Sequence, residues 1–457
     1  QKGGCSKTTT AVNLATVLAE GNPKMGIPPR KVLLVDLDPQ GHVGASLRQV
    51  SPPRPGAPAS LLMDETRREV MDIAVRTSIE DLYLTAPDQG LLQADKALTG
   101  RIGREFLLRR ALRRTRTWYE YIVLDCPPNL GNLTLNALLA ADVLVLADLR
   151  GVDSHGVSNM LKSYITGYQE GSINPRPNWK VIRETPSTAT IDSDRGLGTI
   201  VTPKAMEIAI QKAKNVGMGM VTIGNARHLG MASYHAMLAL EHDMIGICMT
   251  SCPPQVLPTF GAEPRLGTNP IAIAVPAKDQ PPFVFDVATS SVAVNKIRIA
   301  ARLGAEIPGG WMATEDGTPI MEAGLAPEKF TLLPLGADRE GGSHKGYGFS
   351  CMVDILAGVL TGFGYGAVPG RPNFGHMVAA YSIEAFTDVE PFKVEMDEWL
   401  TMMKTTKPAP GHDRVLVAGQ PEAEVEEVRR EEGIPLHPDV AESIRDTCGE
   451  MGVPCLF

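Results

Sequence analysis

The run Asp148-Leu-Arg-Gly-Val-Asp-Ser-His-Gly-Val157 divides two stretches of chain built on different patterns. Ahead of it, apolar runs of strand length alternate with helical patterns. Residues 8–20 read as a helix, Lys31-Val-Leu-Leu-Val-Asp36 as a buried strand closed by an acid, and 82–85 and 121–125 as further buried strands. The loops between them are Gly/Pro-rich at 21–30 and Pro-rich at 51–60. Short apolar strands separated by helices pair through crossovers, which predicts a parallel α/β sheet. Behind the run, Gly and Pro become frequent. Short strands (220–223, 271–275 and 283–286) are separated by turns, and helical patterns recur at 203–216, 233–242, 291–304 and 346–361. The tail, 422–452, reads as two polar helices around a Gly-Ile-Pro-Leu break. This second texture predicts a mixed α+β domain.

A chain of 457 residues with 43% hydrophobic and 21% charged residues reads as an ordinary globular protein that can bury large cores. Its formal net charge of -8 excludes a global basic footprint, so a nucleic-acid partner is not expected. One basic stretch, 101–116, carries Arg104, Arg109, Arg110, Arg113 and Arg114 on an amphipathic helix with Phe106, Leu107, Leu108 and Leu112. It reads as a solvated face, with a DNA-contacting patch as the minority reading. The seven cysteines form no Cys-x-x-Cys pair and no zinc-ligand pattern, which fits reduced thiols and a cytoplasmic location. No signal peptide and no apolar run of about 20 residues is found, so no membrane span is expected.

The front of the chain reads Lys2-Gly-Gly-Cys-Ser-Lys7-Thr8-Thr9. Gly3 and Gly4 would let the backbone approach a phosphate, with the amides of the following helix start pointing at it. Lys7 would reach the β- and γ-phosphates, Thr8 would ligate Mg²⁺, and Thr9 completes the motif. Together with Val35-Asp36-Leu-Asp38-Pro and Ile122-Val-Leu-Asp125-Cys-Pro, this loop resembles the deviant Walker A and acidic motifs of the ParA-type partition ATPases. The resemblance implies ATP and Mg²⁺ in this part. Lys2 would act on a partner's nucleotide, Asp38 would position the attacking water, and Asp125 would act on Mg²⁺ through water. Ser6 departs from the usual glycine. The chain opens on Gln1 rather than Met, inside the loop motif, and so reads as a fragment or a trimmed chain. The strand that should feed the loop, and the family's continuation past its Walker B, are expected to be missing.

The rear carries a longer series. Ala147-Asp-Leu-Arg150, Ser154-His155-Gly, Ile173-Asn-Pro, Asn225-Ala-Arg-His228-Leu-Gly230, Leu266-Gly-Thr268-Asn269-Pro270, Asp286 with Thr289-Ser290, Pro308-Gly-Gly-Trp311, and His344-Lys345-Gly346-Tyr-Gly348 follow in order. Histidine suits a proton step near neutral pH, and arginine suits a carboxylate clamp. No Gly-x-Gly-x-x-Gly fingerprint follows a strand. The series resembles the malate/L-lactate dehydrogenase family, with its ureidoglycolate and sulfolactate members, whose nicotinamide-binding fold is not a Rossmann fold. The resemblance implies NAD or NADP and a small 2-oxo or 2-hydroxy acid in a homodimer. It leans towards His228 as acid/base, with Ser154 and His155 at the substrate. Arg150 would orient or clamp it, and Thr268, Asn269, Pro270, Lys345 and Gly346 would hold the cofactor. Asp286 has two readings, a histidine-tautomer holder and a turn cap. Asn159 stands where many relatives carry an arginine.

The expected fold class is therefore α/β: a truncated P-loop parallel-sheet module over 1–139, then a mixed α+β malate/L-lactate dehydrogenase-like domain over 140–457. The seam, 136–148, is a strand at 143–147 under the first resemblance and a helix under the second; the helix is favoured. Three functional readings stand: a 2-hydroxyacid dehydrogenase with a foreign front module, a ParA-type ATPase, and a chimera with neither activity intact.

Overall fold

The computed structural model describes residues 7–21, 29–38, 43, 47, 69–85, 91, 108, 111, 112, 115, 118–125, 143–175, 177–369 and 374–450. Its chain divides into two units, Gln1–Val145 with Arg430–Gly433, and Leu146–Arg429 with Ile434–Phe457.

In the first unit, helix α1 (Lys7–Glu20) precedes β1 (Val32–Asp36), and β2 (Ala74–Arg76), β3 (Leu82–Thr85) and β4 (Tyr121–Asp125) follow. The sheet order is β2-β3-β1-β4. β1 runs uninterrupted in apolar residues because both its faces are covered. Leu33 and Val35 face a core with Ile73, Leu91, Leu108 and Leu112, while Val32 and Leu34 face Ala11, Val12, Ala15 and Ala19 of α1. β1 is parallel to β3 and β4, as the alternation of strands and helices predicts. β2 corrects the purely parallel reading, since it pairs antiparallel with β3. The reason is local: 77–81 is too short for a crossover, and Asp81 turns the chain back at φ 60°. Of the basic helix at 101–116, Leu108, Ala111 and Leu112 are buried, and its arginines lie outside the described residues.

At the seam, Val143–Leu149 is a helix, α2, which spans the boundary between the units at Val145/Leu146, and 136–142 lie outside the described residues. After α3 (Val157–Gln169) come β5 (Lys180–Glu184), β6 (Thr188–Asp192), α4 (Gly198–Val216), β7 (Met218–Ala226), α5 (Ala232–Met237), β8 (Met244–Ser251), β9 (Ile271–Val275), β10 (Phe283–Val287) and α6 (Val294–Leu303). The short strands β11 (Met312–Ala313), β12 (Pro319–Ile320) and β13 (Thr331–Leu332) make a separate three-stranded sheet. α7 (Ser343–Val353), β14 (Phe374–Ser382), α8 (Val389–Lys404), α9 (Gln420–Glu432) and α10 (Pro438–Glu450) complete the order.

The main sheet runs β10-β9-β8-β14-β7-β6-β5. Only its β6–β7 pair is parallel, and α4 supplies the crossover that such a pair requires. β14 comes from late in the chain yet sits centrally, antiparallel to both β7 and β8. α4 lays Val201, Ala205, Met206, Ala209 and Ile210 on Val221 and Ile223 of β7 and Val378 and Ala380 of β14. α4 begins at Gly198, ahead of the start that Pro203 suggested, and carries that proline inside it. The helical reading of 346–361 is broken by sub-type: an α-helix to Val353, a π turn over Asp354–Gly358, then a 3-10 turn. α9 and α10 flank the Gly433-Ile-Pro-Leu436 break as read from sequence. Among the described residues, no helix is long and apolar enough to cross a membrane.

Candidate active site

β7 ends in the loop that carries His228, and three contacts fix that loop from behind. The Gly198 N–H, at the start of α4, donates to the carbonyls of Arg227 and His228. A side chain at Gly198 would collide with the Leu229 backbone at 2.7 Å, so the close approach requires glycine. His376 of β14 pairs with the Arg227 carbonyl at 3.0 Å and with Thr250 Oγ1 at 2.7 Å, and His235 pairs with the Leu229 carbonyl at 2.9 Å. The loop then turns at Gly230, φ 77°.

Opposite stands the turn Asp153–His155, a 3-10 segment leading into α3. Asp148 caps that helix: its Oδ2 accepts the Val157 N–H at 2.8 Å. Burial, opposed by this hydrogen bond, pushes the Asp148 carboxyl up to about 6. Asn295 of α6 donates to the Ser154 carbonyl at 2.7 Å.

The two histidines meet as a stack, with ring centroids 5.5 Å apart and planes 11° from parallel. Phe374 stands edge-on to His228 at 5.8 Å. Ser154 Oγ and His155 Nδ1 are hydrogen-bonded at 2.9 Å. On His228, Nδ1 meets the Tyr164 hydroxyl at 2.7 Å and the Gly230 N–H at 3.2 Å. A backbone N–H can only donate, so this nitrogen is an acceptor and the ring proton belongs on Nε2. Burial depresses His155 to about 4. Burial, reinforced by His155, His376 and His235, depresses His228 to about 3. Both rings are therefore neutral at neutral pH. Burial raises the Tyr164 phenol well above its usual range.

Ser154, His155, His228 and Phe374 border a cavity of about 930 Å³, lined also by Arg150, Asn159, Thr268, Pro270, Asp286, Ser290 and Ser291. Arg150 is bonded to Glu426 of α9 at 2.7 Å. Burial lowers its pKa, and Glu422 and Asp286 oppose that. Asp286 is open to the cavity yet ringed by protein, which raises its pKa, while the Ser233 N–H donates to it at 2.7 Å and lowers it. This bond caps the start of α5, so the recorded contact of Asp286 is a cap rather than a histidine. Asn269, φ 35°, spends its amide on the Cys252 N–H and on Ser350, and so shapes the wall from behind. Lys345 is exposed, Gly346 packs on the Leu335 backbone, and neither is among the residues lining the cavity. Tyr164 and Glu426 escaped the sequence reading. The tyrosine that follows Ser154-His155 on the same helical stretch was the available signal for the first; nothing local marks the second.

In the first unit, Asp36 and Asp125 are register partners at the ends of β1 and β4. The Asp38 N–H donates to Asp36 Oδ1 at 3.1 Å. Burial, opposed by this hydrogen bond and aided by Asp125 and Asp38, pushes Asp36 up to about 7. Lys2, Gly3 and Gly4 lie outside the described residues, and so do the side chains of Lys7, Thr8 and Thr9. Among the described residues, no cluster of His, Cys, Asp and Glu has the form of a metal site.

The second unit is thus an α+β protein with a mixed sheet and a two-histidine cavity, without a Gly-x-Gly-x-x-Gly motif. Residues 129–445 match the model of the malate/L-lactate dehydrogenase family. The chain is 41% identical over 330 residues to a malate dehydrogenase of Pyrococcus abyssi, covering 71% of this chain and 91% of that one. It is 38% identical over 338 residues to an L-sulfolactate dehydrogenase of Methanocaldococcus jannaschii, covering 73% and 95%. The crystal structure of a malate dehydrogenase from Entamoeba histolytica matches with a TM-score of 0.65 at 35% identity, over 69% of this chain and 91% of that one. The chain belongs to the malate/L-lactate dehydrogenase family. Residues 1–175 match the model of an AAA domain, so the two matches overlap across the seam.

Proposed function

We propose that this protein is a nicotinamide-dependent 2-hydroxyacid dehydrogenase acting on a small acid of the malate or lactate kind, with 140–457 as its catalytic domain. The stacked His155–His228 pair on the wall of the large cavity carries this reading. The residues fit the cofactor. A cavity of about 930 Å³ has room for a dinucleotide. Its wall includes Thr268, Pro270, Ser290 and Ser291 and the start of α6, whose first amides suit a phosphate, with Lys296 and Arg298 following. NAD or NADP would supply or accept the hydride there.

The protein's own groups do the rest. With substrate bound, His228 takes up a proton; its Nδ1–H then donates to the Tyr164 hydroxyl, its Nε2 proton passes to the carbonyl oxygen of a 2-oxo acid as the carbonyl carbon is reduced, and the ring returns to neutral. The incoming carboxylate offsets the burial that holds the ring neutral, and so favours a proton on it when substrate is bound. Ser154 and His155 orient the acid from the other side of the stack. Arg150 supplies positive charge and Asp286 fixes the start of α5. Thr268, Asn269 and Pro270 shape the cofactor wall, and Lys345 and Gly346 lie in the first turn of α7, outside the cavity lining. The exposed Phe349, Ile355, Val359 and Leu360 suit burial in a homodimer. The test is a panel of 2-oxo acids with NADH and NADPH, followed at 340 nm. Turnover with at least one pair is expected; none with any pair overturns the reading.

A second reading concerns the front unit. The carboxylates of Asp36, Asp38 and Asp125 at and just beyond the C-terminal ends of β1 and β4, with the AAA match, support Mg²⁺-ATP binding through Lys7 and Thr8. Calorimetric titration with Mg²⁺-ATP decides it, and an absence of saturable heat rejects it.

A further inference from the structure

The segment that carries Ser154 and His155 is held by residues far away in sequence. Arg429 of α9 donates to the Asp148 carbonyl, and its guanidinium grips both Asp153 carboxylate oxygens, at 2.5 and 3.3 Å. One turn earlier on the same helix, Glu426 binds Arg150 at 2.7 Å, with side-chain exposures of only 14% and 9%. Between these bonds, Gly151 (φ 73°) lies so close to Val425 that a Cβ there would approach its Cγ1 to 3.0 Å. The first turn of α9 lies in the cavity wall through Pro421 and Glu422. One helix thus borders the cavity with its first turn and grips the 148–153 segment with its second and third. Bidentate and part-buried, the Arg429–Asp153 pair is of the kind that fixes geometry rather than merely decorating a surface.

We propose that Arg429 and Glu426 are positioning residues that hold the Ser154–His155 turn in register with His228. The inference rests on the dehydrogenase reading only for its catalytic consequence; the tether itself is a statement about the turn. Displacing a reacting group by about 1 Å can cost on the order of a hundredfold in rate. The tether makes the site dependent on docking of a helix 276 residues downstream of Asp153.

The experiment uses the full chain with Arg429→Ala, Arg429→Lys and Glu426→Gln. Hydrogen exchange of the 148–157 segment, NADH fluorescence titration, and steady-state kinetics with the best 2-oxo acid are measured together. Arg429→Ala should speed exchange at 153–157 and lower kcat by roughly tenfold to a hundredfold. NADH affinity and Tm should change little, and Arg429→Lys should recover part of the rate. Rising NaCl should slow the wild type towards the Arg429→Ala rate. Unchanged exchange overturns the proposal, and so does a rate loss that merely follows a fall in Tm. If the wild type turns over no 2-oxo acid, the dehydrogenase reading fails, while faster exchange in Arg429→Ala still upholds the tether and unchanged exchange still rejects it.

Discussion

His155 and His228 lie face to face, 5.5 Å apart and nearly parallel, although each belongs to a different loop of the fold. Two imidazoles stacked so closely cannot both carry charge without repulsion, and the protein surroundings keep both neutral. The arrangement divides labour between them. One ring is tied through Nδ1 to a tyrosine and a backbone amide, and the other to a serine hydroxyl.

His228→Ala should lower kcat by about 10²–10⁴-fold, the range for loss of a general acid. His155→Ala should act mainly on KM for the 2-oxo acid. Steady-state kinetics of both variants check the assignment, and the reverse pattern would exchange the two roles.

Tyr164→Phe removes the hydroxyl 2.7 Å from His228 Nδ1. One hydrogen bond is worth about 1 kcal/mol, so a fall in kcat of roughly fivefold is expected. A donor to the neutral ring disfavours its protonation. Its loss should therefore raise the apparent pKa on the alkaline limb of the pH–rate profile for 2-oxo acid reduction, where the proton donor is lost. A limb that stays in place would detach Tyr164 from the proton step.

Acid stability follows from the lowered histidines. His155 is held at about 4, and His228 and His376 at about 3, against 6.5 when unfolded. Between these values the unfolded chain binds more protons than the folded one. The stabilising contribution is thus complete above pH 6.5 and is lost as pH falls through 4 towards 3. Urea midpoints measured from pH 7 downwards should fall through this window, and His376→Gln should flatten the slope.

Asn159 borders the cavity and spends its amide on the Asp153 carbonyl at 2.6 Å. Asn159→Arg restores the residue that the family resemblance leads one to expect at this position. A charge-assisted bond to a substrate carboxylate should lower KM for a dicarboxylic 2-oxo acid by about tenfold. An unchanged KM would show that Asn159 does not face the substrate.

Much of the scaffold was readable because it is encoded locally. β3 and β4 fall on the residues expected from their apolar runs, and β1 on all but the first of its run. The break between α9 and α10 follows from Gly433 and Pro435. β14 was not singled out, because a strand whose sheet neighbours lie far off in sequence carries no local mark of its central place. The antiparallel turn of β2 was missed for the opposite reason, since a short loop with Asp81 at positive φ was hidden among ordinary polar residues. In the site, the Ser154-His155 and His228-Leu-Gly230 turns were visible as motifs. The spent amide of Asn269 and the place of Lys345 outside the cavity lining were not.

The sequence by itself determined many of the helical and strand segments and the two histidine turns, because periodicity, capping residues and short motifs act between near neighbours. At 143–149 it left strand and helix open with the helix favoured, and the structure has the helix. Tertiary structure alone decided which nitrogen of His228 bears the proton, how far each histidine falls from its usual pKa, and that Arg429 grips Asp153. Those properties depend on burial and on partners brought together only by the closed fold, and no stretch of local sequence contains them.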